Sequence, residues 1–128
     1  MKNKWAIVHK GFAMYIAIGV FLQMFLAGIW HAGVVMTPDA HAFFGVSLLL
    51  AALLALIASA VGRLPRATII RTALLFGLIL LQPFLIEARA TDAAWVSAFH
   101  TLNAGVIGMV SGMVVAMASE SKPEGEQD

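Results

Sequence analysis

A chain of 128 residues that is 61% hydrophobic and 12% charged, with mean hydropathy +0.90, does not have the make-up of a water-soluble domain, in which roughly a quarter of residues are charged. Its net charge of +1 speaks against nucleic acid as a partner. Having no cysteine removes disulfides, thiolate metal sites, covalently attached haem and cysteine nucleophiles together.

Four apolar runs are long enough for helices that cross a hydrocarbon core of about 30 Å. The first spans about residues 11–35, behind Lys2, Lys4 and Lys10. It is too long for the apolar part of a cleavable signal, roughly 7–15 residues, and reads as a retained span. The second covers about 41–62, with Thr37 or Asp39 as its N-cap and with Gly62 and Pro65 closing it. The third covers about 67–86, and the fourth about 95–118, capped by Thr91 or Asp92. Short connections predict antiparallel neighbours, so the fold class is all-α: an up-down-up-down four-helix membrane bundle forming a single domain over residues 1–118. Residues 119–128 read as an acidic, disordered cytoplasmic tail. No internal repeat stands out. Seven of the eight Lys and Arg residues fall at the N-terminus, between spans two and three, or in the tail, and only Arg89 falls on the other side. The positive-inside rule then puts both chain ends in the cytoplasm, with Trp5 at the inner interface and Trp30 and Trp95 at the outer one.

Chemistry has to come from the few polar residues inside the spans, because an ionisable group at membrane depth is costly and marks a functional hypothesis. At 1.5 Å per residue, His31, His41 and His100 lie about 31, 31 and 28 Å from the inner ends of their spans, in one layer near the outer leaflet. His41 shares a helical face with Gly45, Leu48, Ala52, Ala55 and Ser59, so small residues lie beneath the imidazole and leave room for a flat group. His100 shares its face with Asn103, Ala104, Ile107 and Ser111. The adjacent stripe of Gly105, Gly108 and Gly112 is expected to pack closely on a neighbouring helix. Spans two and four are diagonal in such a bundle, so His41 and His100 can face each other as two axial ligands of one haem iron.

This arrangement resembles the haem-binding bundle of membrane cytochromes b, the cytochrome b561 type and the halves of haem A synthase. In more detail, His41-Ala42-Phe43-Phe44-Gly45, the Gly62-Arg63-Leu64-Pro65-Arg66 connection, Gln82, and the Phe99 to Gly105 segment are similar to an uncharacterised family of small four-helix bacterial membrane proteins. That resemblance covers about residues 25–118 and implies a multi-pass protein of the bacterial inner membrane. It names no activity.

The leading expectation is a small b-type cytochrome, with one haem b between His41 and His100 and with Gly45, Asn103 and Ala104 lining the cofactor. Such a protein would move single electrons, with a membrane quinone as one candidate partner. A second reading brings His31, His41 and His100 together on zinc or copper, with Glu87 as a further ligand. A third makes the chain an accessory subunit packed on a larger respiratory or photosynthetic complex. His9, among basic residues, reads as a solvated inner-face group. Gln82 reads as compensating the backbone opened by Pro83, with Glu87 turned away from it, and the methionines read as core packing. No Ser-His-Asp set, phosphate-cradling loop or buried carboxylate pair can be assembled, which argues against hydrolytic and nucleotide chemistry.

Overall fold

Long apolar runs with few helix breakers leave the backbone little alternative to helix. In the computed structural model, which describes residues 3–120, they form four. These are α1 (Lys4–His31), α2 (Asp39–Val61), α3 (Arg66–Glu87) and α4 (Ala98–Glu120), and 3-10 turns at Ala88–Ala90 and Ala94–Ser97 join the last two. All four are long and apolar enough to cross a membrane. No strand occurs among the described residues.

Helix ends follow from capping chemistry, and several differ from the sequence expectation. α1 starts seven residues earlier because Asn3 caps it: its Oδ1 accepts from Trp5 N at 3.1 Å, while its Nδ2 donates to Gly62 O at 2.9 Å. α1 stops at His31, before the expected end, because Gly33 takes φ +72° and two bonds, Gly33 N to Trp30 O and Val34 N to Ile29 O, close a Schellman motif. α2 ends in the same motif, but the left-handed residue is Arg63 (φ 50°), one past Gly62. Pro38, and neither Thr37 nor Asp39, is the N-cap of α2; the Thr37 hydroxyl donates to the Asp39 carboxylate at 2.7 Å instead. Thr91 caps the turn before α4, accepting from Ala93 N at 3.1 Å, rather than α4 itself. α4 also includes Ser119 and Glu120, and the rest of the expected tail lies outside the described residues.

Gly62 is small for packing. Its φ is an ordinary −72°, but a Cβ there would sit 2.6 Å from Trp5 Cβ and 2.8 Å from Ala58 O. Neither neighbour is the tip of a flexible chain, so Gly62→Ala must push the start of α1 away from the α2–α3 connection. The expected cost is about 1–3 kcal/mol, measured by denaturant unfolding in detergent. An unchanged midpoint would show that this contact is slack.

The helices run up-down-up-down, and each packs on its two ring neighbours in the order α1, α2, α3, α4 and back to α1, leaving α2 and α4 diagonal. The core comprises Ala13, Ile16 and Val20 of α1, Ala51 and Ala52 of α2, Leu75 and Ile79 of α3, and Ile107, Val110 and Val114 of α4. Leu48, Ala52, Ala55 and Ser59 are all buried, so the face of α2 assigned to His41 does point inward. The glycine stripe of α4 does not pack as expected: a Cβ at Gly105 or Gly112 would meet nothing within 4 Å, and one at Gly108 only Val20 at 3.7 Å.

A repeat that the sequence alone did not bring forward is plain once burial is known. Gln23-x-Phe25-Leu26 followed by His41 recurs, 59 residues on, as Gln82-x-Phe84-Leu85 followed by His100. With that same shift, buried His9, Ala13, Ile16 and Val20 fall on buried Thr68, Thr72, Leu75 and Ile79. Likewise Leu48, Ala51, Ala52 and Ala55 fall on Ile107, Val110, Ser111 and Val114. The α1–α2 and α3–α4 hairpins thus share one pattern of buried positions. The reduced alphabet of apolar helices hides this, since different apolar residues can serve at a core position when the summed volume is kept.

Candidate functional site

The two hairpins meet in a polar layer at the end of the bundle that carries the α1–α2 and α3–α4 connections. His41, in the first turn of α2, donates its Nδ1–H to Gln23 O across the hairpin at 3.1 Å. His100, in the first turn of α4, does the same to Gln82 O at 3.2 Å. A carbonyl can only accept, so both rings are Nδ1–H tautomers when neutral, and each Nε2 carries a lone pair. Neither Nε2 has a hydrogen-bond partner among the described residues. The ring centroids are 6.2 Å apart and the planes are inclined at 60°.

These distances carry chemical meaning. With metal–nitrogen bonds of about 2.0–2.1 Å and a ring centre about 1.1 Å behind each nitrogen, two opposed imidazoles on one ion have centroids about 6.2–6.4 Å apart. A hydrogen-bonded proton between the rings would bring them about 1 Å closer. Ligand histidines commonly donate the other ring N–H to a carbonyl, which fixes the tautomer and the ring direction. His41 and His100 are thus neighbours across the bundle, each held in the Nδ1–H tautomer by a main-chain carbonyl of the preceding helix.

The other sequence candidates take different places. Gly45 lies one turn along α2 from His41, but the space it opens is filled: a Cβ there would lie 2.8 Å from Gln23 Nε2. Asn103 is buried, and its Nδ2 donates to Leu78 O at 2.8 Å, bridging α4 to α3 rather than orienting His100. That bond lands next to Ile79 O, the carbonyl that Pro83 leaves without its helical donor. Ala104 is half-buried one turn beyond His100. Gln82 is half-buried while Glu87 is exposed; Gln82 Nε2 makes no hydrogen bond to the backbone that Pro83 opens among the described residues, and Gln82 Oε1 is buried and unpaired.

His31 is exposed, its Nδ1 donating to Ala27 O at 2.9 Å and its ring edge-on to Trp30. Among the described residues no group of three or more His, Cys, Asp or Glu side chains comes together to hold a metal. His9 corrects the sequence expectation outright. It is 1% exposed, and its Nε2–H donates at 3.0 Å to the Thr72 hydroxyl, whose own proton goes to Thr68 O.

Gln23 was not singled out from the sequence at all. The findable signal was a Gln followed by a His 18 residues later, present in both halves. Gln23 Oε1, like Gln82 Oε1, is buried with no hydrogen-bond partner. The layer therefore takes one residue from each helix: Gln23, His41, Gln82 and His100.

Fold and site define a class, an all-α bundle of four long apolar helices built from two hairpins around a histidine pair. Residues 23–91, more than half of the chain, match a family of unknown function, DUF6220, and the chain belongs to that family. The matched stretch contains Gln23, His41 and Gln82 and ends before His100. Neither the curated proteins nor the solved structures offer a match to the chain.

Proposed function

We propose that the chain is an integral membrane protein that crosses the bilayer four times and carries single electrons through one haem b held by His41 and His100. Membrane insertion is supported by the belt of large apolar side chains left bare on the bundle, among them Phe21 at 73%, Phe43 at 81% and Phe84 at 66% exposure. In water such a surface would aggregate, whereas in lipid it is solvated. Lys4, Lys10, Arg63, Arg66 and Arg71 lie toward the end holding the α2–α3 connection, which the positive-inside rule makes cytoplasmic. The histidine layer then lies near the outer face of what we read as a bacterial inner membrane.

The observation that carries the haem reading is the pair of carbonyl-anchored imidazoles, 6.2 Å apart on diagonal helices, with both Nε2 atoms free. The donor set fits an iron with two axial histidines. Because the carboxamide of Gln23 sits against Gly45, it must turn aside for the macrocycle, and a long side chain can do so. Haem b supplies a one-electron couple at its iron. This chain's residues hold the imidazoles in the ligating tautomer through the Gln23 and Gln82 main-chain carbonyls.

The test is a dithionite-reduced minus oxidised absorption spectrum of protein made with ample haem and purified in mild detergent. Sharp reduced α and Soret bands are expected. A flat spectrum at full protein recovery overturns the reading, and co-purification of a colourless chain with other subunits would instead identify an accessory subunit of a larger complex.

A further inference from the structure

We propose that the layer of Gln23, His41, Gln82 and His100 is also a site for one bare divalent transition-metal ion, copper(II) before others, in protein that carries no porphyrin. The two occupants exclude each other, since both use the same two Nε2 atoms, but the copper site does not depend on the haem reading.

The two glutamine oxygens are the starting point. A buried carbonyl oxygen with no donor costs about 1–3 kcal/mol, and here two of them occur at the same position of each hairpin. Gln23 Nε2 lies 2.8 Å from where a Cβ on Gly45 would be, one turn of α2 from His41, whose Nδ1–H is held by the Gln23 main-chain oxygen. Donors alternate around the ring: oxygen from α1, nitrogen from α2, oxygen from α3, nitrogen from α4. Like donors are therefore diagonal. Four N and O donors arranged around an ion in this alternating order suit the tetragonal preference of copper(II), which also heads the affinity order for such ligands. Calcium and magnesium favour carboxylate oxygens, and the nearby acids Asp39, Glu87 and Asp92 are all exposed. A doubly charged ion on neutral ligands needs water close by, and His41 and His100 are only half-buried at the loop end of the bundle.

The full-length chain is made in a host unable to synthesise haem, purified in mild detergent, and titrated with copper(II) alone under electron paramagnetic resonance. One ion per chain is expected, with an axial signal split by two nitrogens. His41→Ala or His100→Ala should abolish it. Gln23→Leu combined with Gln82→Leu should weaken binding at least tenfold and shift the parallel g value, without lowering the thermal unfolding midpoint, because removing an orphaned acceptor does not destabilise the fold. Absence of stoichiometric copper, a signal unchanged in the double leucine variant, or a double variant that loses stability along with binding would each overturn the proposal. A copper site with no haem bands would leave this inference standing and the haem reading fallen, and haem bands with no copper binding would do the reverse.

Discussion

Protein in which His41 and His100 are both changed to alanine is expected to leave the detergent column without the reduced α and Soret bands, and either single change should already remove the low-spin spectrum. If the two imidazoles hold haem as proposed, each would supply one of its two protein ligands, and a single variant would lose that ligand and change the iron's spin state. Retained haem should fall by more than the roughly 10–100-fold that loss of a mere outer-shell partner costs. His31→Ala is the matched control. Its ring is exposed and tied to its own helix through Ala27 O, so its spectrum should equal the parent's. The double alanine variant keeping a low-spin spectrum would move the ligands elsewhere in the chain. An effect of His31→Ala as large as that of the other two would revive the three-histidine site.

The second large effect belongs to His9, at the opposite end of the bundle. Its ring is 1% exposed and bridges α1 to α3 through Thr72. His9→Ala removes a fully packed side chain and a buried hydrogen bond together, so a loss of about 2–4 kcal/mol is expected, in the range of large-to-small core changes. His9→Leu, which keeps most of the volume, should lose about 1 kcal/mol, because the Thr72 hydroxyl still donates to Thr68 O. Both are read from denaturant unfolding in detergent. Equal midpoints for His9→Ala and the parent would restore the solvated group that its basic neighbours suggest.

That histidine shows where sequence reading succeeds and where it stops. Long apolar runs specify helices whatever their neighbours do, so the number, order and rough extent of the four helices were legible, as was the diagonal placing of His41 and His100. Helical phase was legible too: the stripe from Leu48 to Ser59 is buried as a face. What a side chain touches across the bundle was not. Lys4 and Lys10 made His9 look wet, but its phase places it with Ala13 and Ile16 on the inward face, and only the packed bundle reveals Thr72 opposite. Gly45 read as empty space because its filler, Gln23, comes from another helix. Gly105 and Gly112 looked like a packing seam and lie on the outside, since small residues in an apolar helix carry no sign of which face they serve. Cap residues misled for a similar reason: Thr37 and Asp39 satisfied each other.

The 59-residue recurrence relates the two hairpins to each other. A hairpin has an even number of helices, so two in succession keep the same orientation, and the axis relating them runs along the bundle and not across it. The recurrence pairs His41 of one hairpin with His100 of the other. The two halves nonetheless differ in detail. Phe44 answers to Asn103, Gly45 to Ala104, Met24 to Pro83 and His9 to Thr68. The two imidazoles therefore occupy matching places in different surroundings, and each can be adjusted through its own neighbours without changing the other.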